Sequence, residues 1–190
     1  MSSPRRAARI IAVGLSAIVW VLGFAVGVFL STSDQSVPVD VHWSVLLPPF
    51  DSRTQLLFRI LIQNLAVVAA LLLGSLSFGV VTAVVAWLNA VHMSLLLVDV
   101  ARALGRDVLV AHLLPHIGIE LAAFLVATVG GLNGAALLIL RLTSPSAKSV
   151  TLCGFLRTVV QAGLPAATLV GAGAVVEAYL SVPASCWPCN

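Results

Sequence analysis

The hydrophobic positions of this chain form long, uninterrupted runs. The first uncharged run covers residues 10–30, and residues 56–98 are apolar almost without pause, which is long enough for two crossings of a bilayer. A Gly- and Ser-rich turn signal at residues 74–79 divides this second run. Two more apolar runs follow a polar interruption. The pattern therefore predicts five transmembrane helices, at about residues 10–30, 56–76, 79–98, 117–140 and 158–180.

Residues 99–114 have a different pattern from the five runs. Charged residues recur there at steps of three and four, and apolar residues occupy the opposite helical face. The charged face carries Asp99, Arg102 and Arg106. This pattern predicts a short amphipathic helix at the membrane interface, which leads Pro115 into the first turn of the fourth span.

Composition supports a membrane protein and excludes a soluble domain. The chain has 190 residues, of which 60% are hydrophobic and 9% charged, and its mean hydropathy is +1.10. A soluble domain carries about 25% charged residues. We therefore expect a single integral membrane domain over residues 1–190, an all-α polytopic bundle with the lipid bilayer as its main partner. A net charge of +3, from scattered residues, gives no reason to expect nucleic acid binding.

The distribution of charge predicts the orientation in the membrane. With five spans, six basic residues and no acidic residue fall on the side of the N-terminus. They are Arg5, Arg6, Arg9, Arg141, Lys148 and Arg157. By the positive-inside rule, the N-terminus is predicted to be cytoplasmic, in a multi-pass protein of the cell membrane. The tail with Cys186 and Cys189 is then outside, where a local disulfide, free thiols or lipidation are the alternatives.

Small residues at a spacing of four predict close packing between helices. Gly23 and Gly27 form a GxxxG motif in the first span, and Gly163, Ala167 and Gly171 repeat every four residues in the fifth. Such stripes let membrane helices approach each other closely.

Polar side chains inside the spans gather at one depth. They are Arg59, Asn64, Asn89, His92, His116, Glu120 and Glu177. Counted along the predicted helices, all lie within about 15 Å of the outer surface. We expect His116, Glu120 and Glu177 to converge there, with Asn64 and Arg59 nearby. Burying two uncompensated carboxylates costs several kcal/mol, so each must be protonated, paired or hydrated.

The spacing of His112, His116 and Glu120 leaves two interpretations open. Histidines four residues apart with a carboxylate suit a metal or proton site. Alternatively, Glu120 pairs with Arg59 or with a neighbouring helix, and His116 caps its span. Asn64 and Asn89 are expected to bridge helices. The chain has no phosphate-binding loop and no nucleophile-elbow motif, so we expect neither a cofactor nor an energised transporter.

The order of the polar landmarks resembles the stage II sporulation protein M (SpoIIM) family. The resemblance covers about residues 56–182. It includes Gln63-Asn64, the turn at residues 79–82 (GVVT) and Asn89 in the next span. It continues with residues 115–123 (PHIGIELAA), the glycines at 130 and 131, and the end of the last span at residues 176–179 (VEAY). The chain departs from the family at Ile117, where the family has Gly, and at Ala90, which follows Asn89 in place of Gly.

The resemblance implies a scaffold rather than an enzyme. The founding member belongs to an envelope complex with a peptidoglycan-degrading partner and a second membrane protein, and related proteins accompany gene clusters for ribosomal peptides. One functional class is therefore a non-catalytic component that holds other membrane proteins, or further copies of itself. The other is an active device that uses His116 and Glu120, such as a transporter or a maturation, export or immunity factor for a ribosomal peptide.

We predict that an impermeant thiol reagent labels Cys186 and Cys189 in intact, reduced cells, because the predicted topology places the tail outside. Cys153, near the opposite face, serves as the internal control and should react only after the membrane is permeabilised. Single-cysteine variants and gel-shift labelling would measure this. Protection of the tail cysteines together with labelling of Cys153 would reverse the orientation.

Overall fold

Five long helices make up the fold. The computed structural model describes residues 4–33, 52–143 and 152–181, and every regular element within these ranges is helical. The helices are α1 (Pro4–Ser33), α2 (Arg53–Leu73), α3 (Val80–Ala103), α4 (Leu114–Thr143) and α5 (Leu152–Val176). As the sequence predicted, five helical stretches are long and apolar enough to cross a membrane. The tail cysteines Cys186 and Cys189 lie outside the described residues.

The turn predicted at residues 74–79 is confirmed. The side chain of Ser52 accepts a hydrogen bond from the Gln55 amide at 3.2 Å and begins α2. The helix ends in a 3₁₀ turn, Gly74–Ser77. Phe78 and Gly79 then adopt left-handed backbone angles, with φ of 55° and 86°, and start α3 in the reverse direction. This conformation costs least at glycine, which has no Cβ.

The segment 99–114 differs from the prediction of a separate interfacial helix. Residues 99–103 complete α3, and the chain breaks at Leu104 and Gly105, where Gly105 has φ of 89°. A helical turn, Arg106–Val108, and a π turn, Leu109–Leu113, then lead directly into α4. The charged face that suggested an interfacial helix instead pairs with α1. Ser31 donates to Asp99 at 2.9 Å, and Arg102 donates to the Ser31 carbonyl oxygen at 2.6 Å.

Helix α4 is the centre of the bundle. It contacts each of the other four helices, and 56% of its most apolar stretch is buried, against 22–28% for the others. Two glycines of α4 allow α2 and α5 to come this close to it. A Cβ at Gly131 would overlap the Leu71 carbonyl oxygen of α2, and one at Gly130 would overlap Ala162 of α5. Any larger residue at these two positions would separate the helices.

Helices α1 and α3 run parallel, and the GxxxG motif joins them, as predicted. A Cβ at Gly23 would lie 2.6 Å from the Ala90 Cβ, and one at Gly27 would overlap Ser94 Oγ. The contact partner in α3 moves toward its C-terminal end as the glycine in α1 does, so the two helices are parallel. Since α2 reverses the chain between them, the start of α1 and the α2–α3 turn lie on one side of the bundle, called here the N-terminal side.

The stripe predicted in the fifth span is confirmed at Gly163 but not at Gly171. A Cβ at Gly163 would lie 3.1 Å from the Leu72 side chain of α2, whereas one at Gly171 would meet nothing within 4 Å. The fully buried positions of α5 and its last turn repeat every four residues, but one place earlier in the helix. They are Ala166, Val170, Ala174 and Ala178.

We predict that Gly27→Ala destabilises the protein by about 1–3 kcal/mol, because the new methyl group overlaps Ser94 and forces α1 away from α3. Gly14→Ala is the matched control on the same helix, since a Cβ there meets nothing within 4 Å. Removing glycine from an exposed helix position is neutral or stabilising. Thermal unfolding in detergent would compare the two variants, and equal effects would contradict the proposed contact.

Candidate functional site

Three helices place polar side chains together on the side of the bundle opposite the N-terminal side. Asn64 lies at the middle of α2, and Glu120 lies in the second turn of α4. The Asn64 Nδ2 group donates a hydrogen bond to Glu120 Oε1. Both side chains are half-buried. The bond thus joins two helices through one of the few polar groups at this depth.

Helix α5 approaches Glu120 through a glycine. A Cβ at Gly173 would lie 3.1 Å from Glu120 Cγ and 3.8 Å from the His116 carbonyl oxygen. Four residues later, Glu177 is half-buried and close enough to Glu120 for the two carboxyl groups to interact electrostatically. The structure therefore brings Asn64, Glu120 and Glu177 together, with His116 one turn before Glu120.

His116 is held by the turn that precedes it. Its side chain is buried, with 8% of its surface exposed, and Nδ1 lies 3.1 Å from the His112 carbonyl oxygen. That oxygen accepts the proton in the tautomer that carries Nδ1–H. The Nδ1 atom of His112 itself is buried and has no hydrogen-bond partner among the described residues. We call Asn64, His116, Glu120 and Glu177 the carboxylate cluster.

Two π turns border the carboxylate cluster. Leu109–Leu113 contains His112, and Glu177–Ser181 begins with Glu177. The two turns contact each other. A π turn widens the helix by one residue and leaves its hydrogen bonds less regular, and such turns are frequent at functional sites.

The other polar residues of the predicted cluster differ from these four in exposure or in hydrogen bonding. Arg59 and His92 are exposed. Asn89 is half-buried, but its Nδ2 group donates to the Val85 carbonyl oxygen of its own helix at 2.8 Å rather than across to a neighbour. Residues at the same depth therefore point in different directions around their helices.

The spacing of His112, His116 and Glu120 does not produce a metal site in the described ranges. Within residues 4–33, 52–143 and 152–181, no three His, Cys, Asp or Glu side chains are grouped so that they could hold a metal ion. His116 directs its Nδ1 atom to a backbone carbonyl, and Glu120 accepts a bond from Asn64.

The turn and the paired glycines of the family-like pattern meet on the N-terminal side. Thr82 is completely buried, and its hydroxyl donates to the Leu71 carbonyl oxygen at 2.8 Å. Gly131 of α4 packs against that same carbonyl group and against Thr82. The pattern thus has two parts. One closes the α2–α3 turn against α4, and the other forms the carboxylate cluster near the opposite end.

Sequence reasoning missed two residues that matter for this arrangement. Gly173 gives α5 its close approach to Glu120, and the alternation of Gly and Ala at residues 171–174 was the available signal. Trp20 is buried and donates through Nε1 to Thr128 Oγ1 at 3.2 Å, which joins α1 to α4. A single Trp within an apolar run gave no indication of that partner.

The cluster combines two carboxyl groups, an amide donor and an imidazole. Such a set can bridge helices or exchange protons. Helix packing fixes the geometry, because each side chain comes from a span rather than a loop.

Comparison with known proteins places the same landmarks in one family. The family model described as Stage II sporulation protein M matches residues 16–182. No curated protein matches the chain, and no solved structure does.

We predict that Asn64→Leu lowers the free energy of unfolding by about 1–3 kcal/mol, because the Glu120 carboxyl group loses its amide donor in a half-buried site. Gln63→Leu is the control, since this neighbour is exposed on the same helix. Thermal unfolding of both variants in the same detergent measures the difference. If the two variants unfold alike, the Asn64–Glu120 bond does not hold α2 to α4.

Proposed function

Because this chain belongs to the stage II sporulation protein M family, we propose that it is a non-catalytic, multi-pass component of a membrane complex. Its role would be to hold other membrane proteins, or further copies of itself, in an envelope-remodelling or related assembly. The cell membrane, with the N-terminus in the cytoplasm, is the proposed location. The carboxylate cluster would stabilise the bundle from inside.

The observation that carries this proposal is how the carboxylate cluster is packed. Glu120 accepts the Asn64 amide, and Gly173 brings α5 against its aliphatic Cγ. Here the polar groups face neighbouring helices, as they do when they serve to join them.

A second candidate function is favoured by the two π turns. They contact each other and border Glu120 and Glu177, the two carboxyl groups of the cluster. Paired carboxyl groups beside irregular helical turns also suit a proton- or solute-handling site. On this alternative, the chain would be a transporter, or a maturation, export or immunity factor for a ribosomal peptide.

The two functions differ in what they require of Glu120 and Glu177. We predict that Glu120→Gln and Glu177→Gln retain full activity in a complementation assay, and that affinity purification recovers the same partners in the same ratio. The amide keeps the size and an acceptor oxygen for Asn64, so the helix contacts persist. Asp107→Asn is the control, an exposed acid before α4.

Loss of complementation by either glutamine variant, with unchanged protein amount and thermal stability, would contradict the scaffold and support the active device. Destabilisation of both would support a structural role for the ionisable form of the cluster. Purification should use mild detergent and quantify each recovered protein against the tagged chain, because a scaffold keeps fixed stoichiometry with its partners.

A further inference from the structure

A second polar site lies at the other end of the bundle and takes no part in the carboxylate cluster. It is the cavity of about 420 Å³ between α1, α4 and α5. Its polar lining is Arg9, Asn133, Thr158 and Gln161, and its apolar lining includes Leu125 and Val126. The cavity is on the N-terminal side of the bundle. That side contains the early residues of α1, the second half of α4 and the first half of α5.

The charge of the cavity favours an anion. The exposed Arg9 is the charged residue among the described residues that line it, and none of them is a carboxylate. Gln161 is exposed and adds an amide donor, whereas the Thr158 hydroxyl already donates to the Gly154 carbonyl oxygen at 3.0 Å. Arginine binds phosphate groups through a planar array of donors that matches their oxygens.

Asn133 adds a side-chain amide to the polar part of the lining. Its Oδ1 atom is turned away from the accessible space, since it is fully buried and has no hydrogen-bond partner among the described residues. The amide nitrogen is therefore the group of Asn133 that can donate to a bound anion.

The order of residues along α4 separates the cavity into polar and apolar ends. From Asn133 to Leu125 the lining changes from an amide to branched aliphatic side chains. The eight helical steps from Asn133 to Leu125 cover about 12 Å, and they lead from the N-terminal side toward the middle of the bilayer. Arg9, near the start of α1, lies at the polar end. A polar end at the surface and an apolar end at depth match a phospholipid better than a free anion.

We propose that this cavity binds the phosphate-bearing head group of a phospholipid from the leaflet on the N-terminal side, with an acyl chain against Leu125 and Val126. Free phosphate shares the head group's chemistry but cannot use the apolar end. The site is independent of the proposed scaffold function, since it contains none of the cluster residues.

The test uses the delipidated full-length protein in detergent and native mass spectrometry. Phosphatidylglycerol is the probe, diacylglycerol with the same acyl chains tests the need for phosphate, and inorganic phosphate is the competitor. We expect phosphatidylglycerol to bind, diacylglycerol to bind at least about tenfold more weakly, and phosphate not to compete. A charge-assisted hydrogen bond of about 1.5–3 kcal/mol corresponds to tenfold or more.

Variants locate the binding. Arg9→Gln should weaken phosphatidylglycerol binding at least about tenfold, and Arg9→Lys should keep most of it. Arg6→Gln is the matched control, with the same loss of charge one turn earlier on α1 at an exposed position outside the cavity. Thermal unfolding verifies that each variant is folded.

Three results would overturn the proposal. Equal losses in Arg6→Gln and Arg9→Gln would mean that general surface charge attracts the lipid. Equal binding of diacylglycerol would make the cavity an apolar cleft without a phosphate site. Displacement of phosphatidylglycerol by inorganic phosphate would assign the site to a free anion.

Discussion

The contact between the glycines of α4 and the backbone of its neighbours holds the rest of the structure in place. In lipid, no hydrophobic effect drives one apolar helix against another, so association depends on close packing and on buried hydrogen bonds. Gly131 against the Leu71 carbonyl and Gly130 against Ala162 allow α2 and α5 to reach α4 at the same level. Farther along the same two helices, Asn64 of α2 reaches Glu120 of α4.

Buried hydrogen bonds then connect the helices at successive depths. Thr82 joins the start of α3 to the end of α2, and Trp20 joins α1 to α4 through Thr128. Asn64 joins α2 to α4 near the opposite side, where Ser31 and Asp99 join α1 to α3. A polar group without a partner is costly in a medium that offers no water. Each bond therefore disfavours sliding or rotation of its helices, which apolar packing alone permits.

The sequence predicted the number of spans and the α2–α3 turn, because length and hydropathy determine these directly. It did not predict which way the residues face. In a soluble helix the apolar side faces inward, but here lipid-facing residues such as Phe29 and Ile62 are as apolar as the core. Helical phase is thus lost, and counting alone grouped the exposed His92 with the half-buried Asn64. For the same reason, the small-residue stripe predicted in α5 includes Gly171, which meets nothing, as well as Gly163, which packs against Leu72.

The prediction of an interfacial helix at residues 99–114 was wrong for a related reason. The spacing of its charged residues indicates a face toward water, but Asp99 and Arg102 have a partner in Ser31, 68 to 71 residues earlier in the chain. Near that end, Glu120 also has a polar partner from another helix, so that the charges and amides stabilise the packing of the spans. At the N-terminal side, the exposed Arg9 instead lines a cavity between α1, α4 and α5. Because hydrogen bonds between side chains of different helices hold those helices in position, the polar groups at the first end stabilise the bundle itself, whereas the arginine at the second end is available to a ligand.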